Sequence, residues 1–478
     1  MKSRILILGS VLLAGCARFH PLPISPDQTA ADLDNRSLTN ASLKAFLEIN
    51  LHRELTNWPA ARWDFETLML AAFYYNPSLE VARADWQVAQ GGAQTAGGRP
   101  NPSVTVTPGY DSGIPGAPSP WIVPVTFDVP VETAGKRRRR IEQANHLSES
   151  ARLNIATTAW RVRSELRSSL VDFVGAQRRT GLLQQQVAWQ KEIMDRLRSQ
   201  WQAGAVSAPE LTAVQVALAR TSADLADVQS RLAAARADMA GAMGVPAAAL
   251  DAVSLSFELS QNPDADPLTS AEARRTALRS RADILGALAE YAASQSALQL
   301  EIAKQYPDLH LGPGYAWNAG SASDNEWSLG LTLELPVLNH NAGPIAEAAA
   351  RRAAAAARFL ALQAKVIGEI DRAVAVYHAG RKSLAELQSL RTAQETQQAG
   401  VEAQLQAGAV DQLDLLNARL EANTAAVVEL EGQVKLQQAF GALEDAVQRP
   451  ISGDLTAAIR HQETNARSDA AATKQTNR

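Results

Sequence analysis

Gln202-Ala203-Gly204-Ala205-Val206 recurs unchanged as Gln406-Ala407-Gly408-Ala409-Val410, 204 residues later. Other landmarks recur with it. Pro108-Gly109-Tyr110 returns as Pro313-Gly314-Tyr315, Thr126 and Pro130 as Thr332 and Pro336, Ala134-Gly135 as Ala342-Gly343, and Pro246 as Pro450. Their order is kept at offsets of 204 to 208, so the chain is one large unit made twice, with a period far too long for a solenoid. The expected plan is a first repeat over 61–250, a connecting linker over 251–280 and a second repeat over 281–450.

Within each repeat the hydrophobic period switches in a fixed order. A helix comes first, ending near Gly91-Gly92 in one repeat and near Gln305 in the other. Two strands follow. Val123, Val125, Phe127, Val129 and Val131 alternate with residues such as Thr126 and Asp128, and Trp327, Leu329, Leu331, Leu333, Leu335 and Val337 alternate with Ser328, Gly330, Thr332 and Glu334. Val104/Val106 and Leu309/Leu311 mark the earlier strand of each pair. Alternation over about 9–11 residues suits a tilted strand crossing a bilayer. Tyr110, Trp121, Tyr315, Trp317 and Trp327 stand at strand ends, where interfacial aromatics belong. Four strands cannot close a barrel whose smallest form has about eight, so the chain must oligomerise.

Each strand pair leads into a very long helix. From Arg137 to Gln202 there is no proline, and Ala159, Val162, Leu166, Leu170 and Phe173 recur at spacings of three and four. At 1.5 Å per residue such a helix reaches roughly 100 Å. The second, from about Ile345 to Gln406, repeats the pattern with Val366, Ile370, Val374 and Tyr377. The pentapeptide is then a turn, and a shorter helix returns.

Composition agrees with long, closely packed helices: 46% hydrophobic and only 5% aromatic over 478 residues. The formal charge of -4 gives no reason to expect nucleic acid. At the N-terminus a basic Met1-Lys2-Ser3-Arg4 precedes an apolar stretch, Ile5 to Leu13, that is too short to span as a mature helix. It runs into Leu13-Ala14-Gly15-Cys16, a lipobox pattern. Residues 1–15 are therefore expected to be a lipoprotein signal peptide, with Cys16 lipidated. Residues 16–60 read as a lipidated linker and 451–478 as a polar tail.

Ala72 to Ala82, with Asn76-Pro77 and Leu79, resembles the opening signature of the TolC-like outer-membrane factors. Ala277-Leu278 and Arg281-Ala282-Asp283-Ile284 resemble the signature of that family's second repeat, with Ala282 in place of the usual proline. Glu132-Thr133-Ala134-Gly135-Lys136-Arg137 is similar to the strand-to-helix junction of the heavy-metal, CzcC- and CusC-like branch. The resemblance implies a mostly helical fold with a membrane β-barrel, three copies forming a twelve-stranded barrel on a helical tunnel. It implies a passive efflux duct in the outer membrane of a Gram-negative bacterium, extending into the periplasm. The partners implied are a periplasmic adaptor, an inner-membrane RND-type pump and outer-membrane lipid. Divalent metal cations or small toxic compounds are the implied cargo. A type I secretion duct would use the same architecture, and a lipid-anchored coiled-coil scaffold without a pore is the alternative of a different class.

The resemblance also assigns candidate residues. Gly204, Val206 and Leu211, with Gly408, Val410 and Leu415, fall at the periplasmic tip and are candidate adaptor contacts. Asp411 and Asp414 are candidates for the periplasmic aperture, whereas Asn417 at the next such position is not acidic. Ser207-Ala208-Pro209-Glu210 and Asp411-Gln412-Leu413-Asp414 both read as helix-capping patterns. Asp128 and Glu334 occupy matching strand positions and are candidate carboxylates of the pore lumen. The basic run Lys136 to Arg140 is expected to be a solvated helix face beside lipid headgroups, offset by carboxylates or phosphates. The seven histidines show no ligand spacing and no nucleophile–base pattern is present, so neither an enzyme nor a resident metal or cofactor is expected.

Overall fold

The structure, a computed structural model, describes residues 19–60, 62–110, 121–261, 265–318 and 326–450. Cys16, the signal segment and the tail 451–478 lie outside the described residues. The elements run α1 (Pro26–Asp34), α2 (Ala41–Leu51), α3 (Phe65–Tyr75), α4 (Pro77–Ala96), β1 (Ser103–Val106), β2 (Gly109–Tyr110), β3 (Trp121–Val131), α5 (Lys136–Gln202) and α6 (Ala208–Met243). After a 3-10 turn come α7 (Asp266–Thr269), α8 (Ala271–Ser280), α9 (Ala282–Ala303), β4 (Leu309–Asn318), β5 (Glu326–Leu333), α10 (Ala342–Gln406) and α11 (Gln412–Val447). Among the described residues no helix is long and apolar enough to cross a membrane.

The chain divides into two compact units. The first takes the described parts of Met1–Val81, Ile155–Arg281 and Lys365–Arg478; the second takes Ala82–Asn154 and Ala282–Ala364. The core of the first unit is built on α3, where eight of eleven residues are buried, among them Leu68, Leu70 and Phe73. Leu166, Leu170, Met239 and Met243 complete it from α5 and α6.

The segment expected as a plain linker, 16–60, does more than connect. On α2 the residues Leu43, Phe46 and Leu47 are buried at helical spacing and join the same core. Arg36 donates to the carbonyls of Tyr75 (2.7 Å) and Gly244 (2.8 Å), and the Tyr75 hydroxyl donates to the Ser37 carbonyl. The segment 251–280 likewise carries α8 and buries Leu259, Leu268 and Ala277.

A buried ionic cluster lies in the same unit. Arg163 and Glu444, each 1% exposed at the side chain, pair at 2.8 Å, with Arg167 3.7 Å from the same carboxylate. Phe65 and Trp160 lie against the Arg163 guanidinium and Phe440 against that of Arg167, at 5.0 to 5.2 Å, so aromatic faces replace part of the lost hydration. Asp445, beside Ser164 and Arg163, has its carboxyl pushed up to about 6, because desolvation outweighs its hydrogen bond and the nearby cations.

Two expectations about helix and strand ends need correction. Gly91 and Gly92 do not end the first helix, because α4 runs through them to Ala96. Each glycine weakens a helix by only about 1 kcal/mol, too little to stop one that is already under way. The second strand of repeat two stops at Leu333, not Val337. Leu333 pairs with Leu309, the first residue of β4, so beyond it no partner strand remains.

Gly244 tests how tightly α6 is held at its end. Its φ is +75°, and a Cβ there would stand 2.7 Å from the Tyr75 carbonyl oxygen. Gly244→Ala is expected to cost at least about 2 kcal/mol, from left-handed strain and the backbone clash together. Gly241→Ala, at an exposed helical position with nothing within 4 Å, should gain up to about 1 kcal/mol. Thermal melting followed by circular dichroism separates the two. The same assay reads Asp445. A carboxyl raised in the folded state lends stability that is full below the ordinary carboxylate range and lost as pH rises through about 6. Wild-type melting temperature should therefore fall between pH 5 and 7 relative to Asp445→Asn.

Candidate functional site

Among the described residues five strands form one antiparallel sheet in the second unit, ordered β1-β3-β4-β5 with β2 continuing beside β3. Cross-strand partners share a face, and the register separates most of the apolar side chains from the polar ones. Val104 faces Phe127, Val129 faces Leu311, Leu311 faces Leu331, Pro313 faces Leu329 and Tyr315 faces Trp327. On the opposite face Ser103 meets Asp128, Thr105 meets Thr126, His310 meets Thr332, Gly312 meets Gly330 and Gly314 meets Ser328. One face is thus apolar, and the other carries the polar side chains together with Ile122, Pro124, Pro130 and Ala316. The apolar face is not covered by the chain itself: Trp327 is 81% exposed and Leu329 78%.

Asp128 lies on the polar face, and its carboxylate oxygens are 2.9 and 3.1 Å from Nδ1 of His310. The expected equivalence of Asp128 and Glu334 does not hold. Glu334 is exposed and stands one residue beyond the end of β5, without a ladder partner. His310 is the residue missed by motif spacing. The signal for it was its place between Leu309 and Leu311 on the polar side of a strand.

Where β3 passes into α5, only part of the basic run is a solvated face, with Arg138 exposed. Lys136 is buried, and its ammonium donates to the Tyr306 carbonyl (2.7 Å) and to Asp308 (2.8 Å). Burial alone would raise the Asp308 carboxyl, but bonds from Lys136 and the Thr133 amide hold it below the ordinary carboxylate range. Arg137 donates to the Gly97 carbonyl, and Arg140 to Ala96 and Gly98. These are the orphan carbonyls at the C-terminal end of α4, which favour cations. Glu132 pairs with Arg140 at 2.6 Å, so carboxylates and helix-end carbonyls offset the run.

The two pentapeptides form matching turns. Gly204 (φ +76°) and Gly408 (φ +73°) adopt the left-handed conformation. The Ala205 amide reaches the Gln200 carbonyl and the Ala409 amide reaches Gln404, each at 2.9 Å, which is the Schellman closure of a helix C-terminus. Gly204 and Gly408 are exposed, and Val206 and Val410 half-buried. Leu211 and Leu415 are buried within the chain, at 9% and 3% exposure, and so pack the hairpins rather than face outward.

The sequence model of the outer membrane efflux proteins matches the chain twice, over residues 71–245 and 273–447. The chain belongs to the outer membrane efflux protein family. No curated protein matches it. Among solved structures, the CmeC outer membrane channel of Campylobacter jejuni aligns with a TM-score of 0.68 at 15% identity, covering 94% of this chain and 98% of that one. VceC of Vibrio cholerae aligns at 0.65 and 17% identity over 81% and 97% of the two chains. CusC aligns at 0.65 and 16% identity over 91% and 99%. The family is one of outer-membrane efflux channels, not of enzymes, and the mostly helical fold with a small sheet agrees with these neighbours.

In this efflux protein the two turns are capped differently. The Asp411 carboxylate accepts from the Leu413 (2.7 Å) and Asp414 (3.0 Å) amides, while Asp414 accepts from the Asp411 amide, a complete capping box. Ser207 occupies the same place on α6 but makes no side-chain cap. Pro209 at the second helical position has no N–H to offer. Asp411→Ala should therefore cost about 1 kcal/mol, and Ser207→Ala close to nothing. Hydrogen exchange at the first turns of α11 and α6 checks the difference.

Proposed function

We propose that the chain is one subunit of a homotrimeric outer-membrane duct through which a tripartite efflux system expels its cargo. The observation that carries this is the two-faced sheet. Its apolar face suits lipid and its polar face suits water, while among the described residues β1 and β5 each leave one edge unpaired. A sheet with open edges is not tolerated in hydrocarbon. Pairing β5 of one copy with β1 of the next removes every edge. With β1 and β2 forming one broken line, each chain contributes four strands, and three chains make twelve, within the range of membrane barrels.

Lipidation at Cys16 then anchors the same subunit to the membrane that its barrel crosses. The paired helices α5–α6 and α10–α11 supply the periplasmic tunnel, and their turns meet a periplasmic adaptor through Gly204, Val206, Gly408 and Val410. Asp411 and Asp414 lie beside that contact, at the aperture, where their caps still leave carboxylate oxygens facing water. The pump in the inner membrane provides energy; the duct is passive. For cargo, the likeness of Glu132 to Arg137 to the heavy-metal branch favours divalent cations. Those residues bind one another and helix ends, however, so they build the junction rather than touch what passes.

The test is mass in detergent together with single-channel conductance in planar bilayers. Stable trimers with discrete current steps are expected, and a monomer that never conducts would overturn the reading. A pair of variants sharpens it. Leu331→Arg puts a charge on the lipid face, costing up to about 2–4 kcal/mol according to depth, and should block assembly into membrane. Thr332→Arg, one residue on, faces the water-filled side and should assemble and change ion selectivity.

A further inference from the structure

We infer that Asp128 and His310 form a binding site on the channel wall for divalent cations that favour imidazole, such as Zn2+ or Ni2+. The inference rests on the duct reading above, because it takes the polar face of the sheet as the water-filled side. It adds to that reading a group on this face, among the described residues, that sets an imidazole against a carboxylate.

The geometry comes first. Nδ1 of His310 lies 2.9 and 3.1 Å from the two oxygens of Asp128. In the neutral tautomer that donates from Nδ1 to the Asp128 carboxylate, the lone pair is on Nε2. That is the arrangement by which proteins orient a histidine toward a metal: the carboxylate fixes the tautomer and makes the imidazole a better donor. The two side chains are 40% and 48% exposed, so Nε2 has access to solvent. The next register step along β4 and β5 pairs Gly312 with Gly330, and neither has a side chain to cover the ring.

The dyad has no evident structural duty. Strands β3 and β4 already pair through eight registered residue pairs, and a half-exposed side-chain contact adds little to that. Asp308, next but one to His310, adds negative potential but is engaged by Lys136 and Thr133.

The chemistry also sets how tightly a cation is held. Imidazole suits zinc, nickel and copper, whereas magnesium and calcium take oxygen ligands. Among the described residues no cluster of three or more His, Cys, Asp or Glu could cage an ion. One oriented imidazole per subunit, completed by water, is a weak and fast-exchanging site. A conduit needs that, since a cation held too firmly would block the path it is meant to follow.

The experiment uses the full-length, lipidated channel in two assays. Zinc binding to detergent-solubilised protein is measured by titration calorimetry, and zinc is added to single channels in planar bilayers, with magnesium as control. One zinc per chain is expected, together with a reversible change of conductance that magnesium does not produce. His310→Ala should abolish both, Asp128→Asn should weaken binding by about 10–100-fold, and His340→Ala should change neither. Equal zinc binding by wild type and His310→Ala, or no binding by a channel that conducts, would overturn the site and leave the duct intact. Zinc binding that depends on His310 in a protein that never conducts would uphold the site's chemistry and overturn the duct.

Discussion

A strand in hydrocarbon has no water to satisfy its amide and carbonyl groups, so a sheet that enters a membrane must leave no edge. This chain presents both halves of that problem at once. Leu329, Leu331 and Trp327 turn an uncovered apolar face outward, which water opposes. The outer edges of β1 and β5 are open, which lipid opposes. Neither environment accepts the single chain, and both objections vanish when copies pair edge to edge. Closure, as proposed above, would also account for the sorting of side chains by register. Once the sheet is a wall, one face has lipid and the other has water, and a slip of one residue would exchange them for a whole strand.

A closed wall must hand its strands to helices without loosening the register it depends on. The junction at Glu132 to Arg140 does this with polar contacts alone. Lys136 ties the start of α5 to the residues just before β4, and Arg137 and Arg140 tie it to the end of α4. Five basic residues at a helix N-terminus oppose the dipole of their own helix. Here two of them satisfy the C-terminal carbonyls of another, where the sign is favourable.

What was legible beforehand follows from which signals are local. The long helices lacked proline and kept their apolar spacing, so α5 and α10 could be read nearly to the residue. Strand alternation was equally plain, because each strand faces two different environments. Strand ends were not, since β5 stops where β4 begins to lack residues, a fact of pairing rather than of local sequence. The pair Ala134-Gly135 and Ala342-Gly343 also misled. Two left-handed residues, Ala134 and Gly135, precede α5, and one, Asn341, precedes α10; Asn341 stands 206 residues after Gly135, and asparagine tolerates that conformation. Cross-strand partners escaped for the same reason as strand ends. Asp128 and His310 are 182 residues apart, and only the sheet brings them together.

Duplication supplied two copies of every part, and the copies have since taken different loads. Asp411 caps its helix completely and Ser207 does not; Asp128 stands inside the ladder and Glu334 outside it. At the turns the backbone geometry survives in both repeats while the side-chain cap remains in one; at the strands the ladder itself differs. The turns show why that is allowed. Gly204 and Gly408 both close through backbone bonds at 2.9 Å, so the fold of the turn does not depend on the cap. A ring of three such chains would therefore offer six turns of one shape and two chemistries in alternation. A partner docking on such a ring would meet a surface that is six-fold in outline and three-fold in charge.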